Sequence, residues 1–467
     1  MDMAPKIRSI SVSNLQDMFD YRIDFIGDGR TAILIAPNGY GKTAFLSVIN
    51  SCLQFHLLEA ADQQFEELNV IFDDKTRWLF KKVLYTDDEL LKSEGVRAYR
   101  RSVRSKSRRH YRVRFIFFND KGKMTKENTL GGIQSIPIEL LARALDRHLP
   151  VHRVDFDAFQ DMRSDELLTI PEVIQRYKDT ILNDLDFKDD LGEYAPLLNE
   201  GVENHFNCVF IETQRLLQTT RIMRPDADER DEPKEEIIRQ SNHLAKLLQT
   251  TYASYAAKSQ ELDRSFPNRL IARSEGSTVH DLHGLKKELS KIEFRRKDLT
   301  SAGILDDTTE RVIAPKDEFI KNVADALQIY VEDSKEKLAT FDEVFEKISV
   351  FRDLMSKKLL PKELVINRTN GAEIRRGKTS VGLEKLSSGE KHEFIMLFRL
   401  IFETPEGSLV LIDEPEISFH VSWQLEFMSD LSRIQNANSF QSIIATHSPQ
   451  IIQGADDITF DLSEQVR

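Results

Sequence analysis

Hydrophobic and polar positions divide the chain into a β-rich start, a helical middle and a short alternating end. At the start, Ile7–Val12, Tyr21–Phe25 and Thr31–Ile35 read as strands, and Ala44–Leu57 follows as a helix apolar enough to be buried. Leu68–Phe72 and Tyr111–Phe118 read as strands of an antiparallel sheet beside them, and Phe206–Ile211 as an isolated later strand. In the middle, Ile237–Leu262, Val279–Leu299 and Pro315–Lys357 carry helical patterns, with Pro315 suited to a first helical position. Leu282, Leu285, Leu289 and Ile292 give partial amphipathic periodicity, while Pro267, Gly276 and Gly303 interrupt any long rod. A short coiled-coil arm or helical subdomain is therefore expected rather than a long coiled coil. Leu364–Asn367 and Ala372–Arg375, joined through Asn370-Gly371, predict a hairpin. Glu393–Phe402 (helix), Ser408–Ile412 (strand), Val421–Ile434 (helix) and Ser442–Ala445 (strand) close the pattern.

The chemistry sits where these elements meet. Thr31–Ile35 runs straight into Ala36-Pro37-Asn38-Gly39-Tyr40-Gly41-Lys42-Thr43, and a helix follows. Strand, glycine-bearing loop, lysine, hydroxyl and helix is the order a phosphate cradle needs, because Gly39 and Gly41 let successive N–H groups turn toward one anion. Lys42 would reach the β- and γ-phosphates and Thr43 would ligate Mg2+, with Asn38 on the loop. Ala36 stands where a first glycine is usual. Ser408–Ile412 ends in Asp413-Glu414-Pro415-Glu416, so Asp413 is a candidate Mg2+ ligand and Glu414 a candidate polariser of the attacking water. Ser442–Ala445 ends in Thr446-His447, which makes His447 a candidate γ-phosphate sensor. Ser387 and Gly389, opening the Glu393–Phe402 helix, form a second anion site. One chain already has one phosphate loop, so this second site is expected to cap a nucleotide held by another copy.

Composition narrows the class. At 467 residues, two lobes or a core with a large insertion is expected. Hydrophobic residues make up 40% and charged residues 30%, which supports a sizeable core outside a membrane; no run reaches the length of a bilayer span. Met1–Ser13 lacks the features of a secretory signal, and two cysteines, Cys52 and Cys208, suit a reducing, cytoplasmic setting. The formal net charge of -12 excludes a wholesale basic coat but leaves room for a local patch. Nine Lys or Arg residues between Arg97 and Arg114 form such a patch, suited either to nucleic acid or an acidic partner, or to a plain solvated hairpin face.

Four ordered stretches resemble the ABC-type ATPases: Ala36–Thr43 resembles their Walker A loop, Leu386–Glu390 their signature, Ser408–Glu414 their Walker B strand, and His447 their switch histidine. The gap of more than 340 residues between loop and signature resembles the SMC/RecF/OLD-like branch. Asp413–His420 with Thr446-His447-Ser448-Pro449 is most similar to the ATPase subunits of anti-phage systems such as PARIS, Septu and the retron-associated ones. The resemblance implies an α/β fold: an ABC-type ATPase core, with a mixed central sheet and an antiparallel N-terminal subdomain, interrupted by a large, mainly helical insertion. The expected layout is residues 1–120 for the first part of the core, 121–360 for the insertion and 361–467 for the second part. It implies ATP and Mg2+ as cofactors, a homodimer or higher homo-oligomer, and Gln214, after the Phe206–Ile211 strand, as a Mg2+- and water-coordinating glutamine with Arg215 near phosphate. The twenty residues after His447 leave no room for a nuclease domain, so a separate nuclease or toxin is the expected effector, with nucleic acid or a phage protein as trigger. The implied function is an ATP-dependent switch in anti-phage defence, the alternative a DNA-binding ATPase of recombination, repair or chromosome maintenance.

Overall fold

The computed structural model describes residues 5–84, 111–128, 138–154, 158–163, 167–192, 206–212, 236–274, 282–306, 317–377, 379–417 and 420–465. Strand β1 (Ile7–Leu15) buries alternate side chains and pairs antiparallel with β2 (Phe19–Asp24). Strand β3 (Thr31–Ile35) leaves for a different sheet, and β4 (Glu67–Phe72), β5 (Arg77–Leu84), β6 (Tyr111–Phe118) and β7 (Met124–Asn128) return to the first. The result is a six-stranded antiparallel sheet in the order β2-β1-β4-β5-β6-β7. Its inner face packs Trp78, Phe80 and Phe115 around Phe55, with the Phe55 and Phe115 rings edge-on at 4.9 Å.

Residues 138–192 form a small α/β module with its own apolar centre around Phe159, Val173, Ile181 and Phe187. Its three short strands, β8 (Val151–Arg153), β9 (Ala158–Asp161) and β10 (Leu167–Thr169), make a separate antiparallel sheet. Strand β11 (Cys208–Glu212) then joins the central sheet. Within 121–360, the large and mainly helical insertion, this module and strand β11 precede the long helices.

Helix Glu236–Ser274 follows, then helices Leu282–Ser301, Asp317–Ala339 and Asp342–Lys358. Pro267, expected as a break, lies inside the first of these. The nearby Leu262 carbonyl accepts from Arg269 Nη2 at 2.9 Å, and ion pairs Lys337–Asp263, Arg269–Asp333 and Arg273–Glu332 tie both sides of the proline to helix Asp317–Ala339. A proline that ends a free helix is tolerated where a neighbour holds both flanks. Leu285, Leu289, Ile292 and Leu299 are buried, so the periodic stripe packs into a helical subdomain. Gly303 ends that helix at φ +76, and a Cβ there would stand 1.7 Å from the Ile366 carbonyl. Gly276 lies outside the described residues.

Strands β12 (Glu363–Asn367), β13 (Gly371–Arg376) and β14 (Thr379–Val381) make a three-stranded sheet. The expected Asn370-Gly371 turn is a longer loop: Asn367 pairs with Gly371, and residues 368–370 close the hairpin. Gly371 has φ +71, and a Cβ there would meet the Ser241 carbonyl at 1.8 Å. The Ser241 hydroxyl donates to the Asn370 carbonyl at 2.8 Å, docking the long helix on the hairpin.

Helix Ser388–Phe398, β15 (Leu409–Asp413), helix Val421–Ala437, β16 (Gln441–Ala445) and β17 (Thr459–Asp461) complete the chain. The central sheet runs β11-β15-β16-β3-β17, and each of these pairs is parallel. Its strands read as unbroken apolar runs because both faces are covered. Leu34, Leu409, Leu411 and Ile443 face the core shared with helix Lys42–Leu53 and the antiparallel sheet, while Ile33, Val410, Ile412 and Ile444 face the helical layer. Among the described residues no helix is long and apolar enough to cross a membrane.

One buried charge cluster ties the helical layer together. Lys358, only 3% exposed at its side chain, lies 2.9 Å from Glu393 and 3.0 Å from Asp430. Burial works against its charge, but Glu393 and Asp430 outweigh burial and hold the ammonium above its ordinary value. Lys358→Met should lower the unfolding free energy by about 3–5 kcal/mol, because two acids then stay buried without their cation. Gly371→Ala should cost roughly 1–3 kcal/mol through the clash with Ser241 and the left-handed backbone. Urea denaturation followed by circular dichroism measures both, and an unshifted midpoint contradicts the corresponding account.

Candidate functional site

The loop after β3 turns at Gly39 (φ 90) and Gly41 (φ 70), conformations that favour residues without a Cβ. Gly41 caps helix Lys42–Leu53, whose first N–H groups therefore face the loop's concavity. Tyr21 Oη donates to the Tyr40 carbonyl at 2.6 Å and pins the loop to the antiparallel sheet. Ala36 is buried, so its methyl is accommodated where glycine is usual.

Lys42 is buried at the loop's end. Its Nζ donates to the Ala36 carbonyl at 2.9 Å and lies 2.6 Å from His447 Nε2. A protonated lysine has no lone pair, so Nε2 must be the acceptor and the ring proton must sit on Nδ1. Burial pulls the Lys42 pKa below its ordinary value against the opposing carboxylates of Glu414, Asp413 and Glu416. Thr43 Oγ1 donates to Asp413 Oδ2 at 2.8 Å. The other Asp413 oxygen, Oδ1, is buried without a hydrogen-bond partner. Burial raises the Asp413 pKa, with Glu414 adding to the rise and Thr43 and Lys42 opposing it. A hydroxyl beside a carboxylate that keeps one buried oxygen unused offers hard oxygen donors, and these fit Mg2+.

Glu414 follows in a left-handed conformation (φ 49), held by its N–H to the Ala445 carbonyl at 2.8 Å. Its Oε1 lies 3.9 Å from His447 Nε2. Pro37, Asn38, Glu414, Glu416, Ile417 and His447 line an open cleft beside the loop. Asn38, Gly39, Gly41, Lys42, Thr43, Asp413, Glu414 and His447 therefore lie together at one edge of the central sheet.

Ser387 and Gly389 are elsewhere. Ser387 is the N-cap of helix Ser388–Phe398, in a capping box with Glu390. Glu390 is in turn gripped by Lys362 Nζ at 2.8 Å to each oxygen. Burial pushes the Glu390 pKa up, but Lys362 and the Ser387 N–H outweigh burial and bring it below the usual range. Among the described residues no hydrogen bond or ion pair joins Ser387 or Gly389 to loop 36–43. Gln214 and Arg215 lie outside the described residues; Glu212, just before them, is paired in register with Asp413. Of the basic run, residues 97–110 also lie outside.

Sequence reasoning passed over Glu416. Its Oε2 accepts from Thr446 Oγ1 at 2.7 Å and its Oε1 from the His447 N–H at 2.6 Å. The only signal was its place in an acidic run, which does not say what it faces.

Among known proteins, the chain is 39% identical over 71 residues to Protein ea59 of Escherichia phage lambda. That match spans 15% of this chain and only 14% of the phage protein. Among solved structures it is similar to an Smc head domain with an extended coiled coil bound to the C-terminal domain of ScpA, from Pyrococcus furiosus, at 12% identity and a TM-score of 0.31. An SmcHead bound to the C-winged helix domain of ScpA gives 10% identity and a TM-score of 0.33. Each alignment covers 96% of this chain and 91% of the other. The family model of the AAA ATPase domain matches residues 6–452, nearly the whole length, and the chain belongs to that family of ATPases.

Proposed function

We propose that this chain hydrolyses ATP as a homodimer that closes around the nucleotide and reopens after hydrolysis. The supporting observation is the meeting of segments about 400 residues apart: Lys42 with His447 at 2.6 Å and Thr43 with Asp413 at 2.8 Å. In this reading the N–H groups of Gly39, Gly41 and Lys42 cradle the phosphates and Lys42 turns from Ala36 to the β- and γ-oxygens. Thr43 and Asp413 hold Mg2+, which when bound neutralises phosphate charge. Glu414 orients water for in-line attack, and His447 donates its ring N–H toward the γ-phosphate as charge moves onto the leaving oxygen. Ser387 and Gly389 of one subunit cap the γ-phosphate held by Lys42 of the other.

For the work done by closure we favour DNA, as in recombination, repair or chromosome maintenance. Nine Lys and Arg residues between Arg97 and Arg114, in a chain of net charge -12, suit a phosphate backbone. The rival reading is control of a separate nuclease or toxin in anti-phage defence, and it shares the ATPase cycle.

Glu414→Gln should lower kcat by about 10²–10³-fold while ATP binding survives. Light scattering should then find a stable dimer with MgATP and a monomer without it, and Ser387→Arg should abolish that dimer. A Glu414→Gln chain that stays monomeric in saturating MgATP removes the sandwich reading. On the downstream role, duplex DNA should stimulate turnover, with an effect that fades steeply as salt rises. No stimulation, together with co-purification of a stoichiometric nuclease or toxin from the native host, would move the assignment to defence.

A further inference from the structure

The chain reverses sharply after β15, and the reversal determines where Glu416 points. Glu414 adopts a left-handed conformation, Pro415 fixes the next φ, and the Ile417 N–H closes a turn onto the Glu414 carbonyl at 3.1 Å. Glu416 is thereby turned across the end of the neighbouring strand β16. Its two oxygens are divided between two donors there: Thr446 Oγ1 at 2.7 Å and the His447 N–H at 2.6 Å. Thr446 is fully buried, and its Oγ1 also accepts from the Ser448 N–H at 3.0 Å. The Ser448 hydroxyl donates to Gln424 Oε1 at 2.7 Å on the following helix. The Thr446 N–H donates to the Leu34 carbonyl at 3.1 Å, so every backbone N–H from 446 to 448 is anchored; Glu416 holds that of His447 directly and braces the Thr446 hydroxyl that holds that of Ser448.

His447 depends on that anchoring. Its ring is one-third exposed, and among the described residues Lys42 is the partner that Nε2 meets at hydrogen-bond distance; Glu414 is at 3.9 Å. A ring held at one point of its edge takes its reach from the backbone that carries it. We propose that Glu416 is the positioning residue for His447. By bridging the loops after β15 and β16 it sets the ring's reach toward Lys42 and the nucleotide, and so governs turnover rather than affinity. This rests on the ATPase reading above.

A carboxylate is the group suited to this task. Both facing groups are donors, and an ionised acid offers two acceptors at a fixed spacing, with bonds stronger than those of a neutral amide. Glutamine keeps one acceptor for the His447 N–H, while its NH2 can only donate to Thr446. Alanine keeps neither.

The test is MgATP kinetics on Glu416→Ala, Glu416→Gln, His447→Ala and the Glu416→Ala/His447→Ala pair. Glu416→Ala should lose about 10–100-fold in kcat with KM within about threefold of the parent. Glu416→Gln should recover most of the loss, and the pair should be no worse than His447→Ala alone, because the two act as one unit. Losses that multiply in the pair, or a rise in KM at unchanged kcat, overturn the proposal. If Glu416→Ala does not fold, Thr446→Val carries the comparison: it should lower kcat but add nothing to His447→Ala, and an unchanged kcat overturns the proposal. Histidine 15N spectra of the nucleotide-free chain separate this from failure of the ATPase reading. The parent should show His447 as the Nδ1–H tautomer, Glu416→Gln should stay close to it, and Glu416→Ala or Thr446→Val should mix the tautomers. Unaltered spectra in both Glu416→Ala and Thr446→Val refute the positioning role, whereas altered spectra in a chain that never hydrolyses ATP refute only the ATPase reading.

Discussion

Parallel pairing of β3, β16 and β15 is the constraint from which the rest follows. Parallel neighbours end on the same side of a sheet, so their C-terminal loops share one edge. Register makes the edge level: Leu34 pairs with Ala445, and Ala445 with Asp413. Within two residues of these lie the candidate phosphate loop, His447 and Glu414. A slip of one residue in β16 would move His447 by about 3.3 Å and turn its side chain to the other face. The polar ends of β16 resist that slip: Gln441 donates to the Ile7 and Gly29 carbonyls, and Thr446 donates to Glu416. Burial of the apolar runs holds the strands together, and these ends hold their register.

Helix Ser388–Phe398 stands on the other side of this sheet, and buried charge joins it to its surroundings. Glu393 on that helix shares Lys358 with Asp430, which links helices Asp342–Lys358, Ser388–Phe398 and Val421–Ala437. A π-helical turn, Arg399–Glu403, follows it, and there Arg239 meets both Glu236 and Glu403. Burial pushes the Glu403 pKa up, but His243, Arg239 and Arg399 outweigh burial and keep it below its usual value. Apolar contacts permit helices to slide, whereas ion pairs of defined geometry do not. Movement of Ser387 on closing would therefore carry the long helix with it as a body.

The nucleotide loop and both strand ends were legible because their chemistry is local. Gly39, Gly41, Lys42 and Thr43 lie within five residues, and Asp413-Glu414 ends an unmistakable apolar run. The antiparallel sheet and the helical subdomain were readable from periodicity. Features settled by tertiary partners were not. Pro267 looks like a stop until the ion pairs of Arg269 and Arg273 are known. Strand β11 looks isolated until Glu212 is seen beside Asp413. Gly371 reads as a turn residue, yet its need for hydrogen in place of Cβ comes from Ser241, 130 residues earlier. Glu416 belongs with these, since an acid two places after Glu414 acquires meaning only from Thr446 and His447.

Lys42 joins this geometry to the chemistry. Its Nζ donates to the Ala36 carbonyl and lies 2.6 Å from His447 Nε2. Both bonds already carry the charge of the ammonium, but phosphate oxygens are anionic and add a direct Coulomb attraction. In the proposed cycle, arriving phosphate would therefore draw Lys42 away from both. The buried ammonium, whose pKa burial depresses, gains most from an anionic partner, because the approaching charge offsets the cost of its burial. His447 is released in the same step, but only its ring is free. With its N–H still held by Glu416 and Thr446 still bonded to the same carboxylate, the ring can turn only about its own side-chain bonds. Any search for the γ-phosphate is thereby reduced from the motion of a loop to the choice of a rotamer.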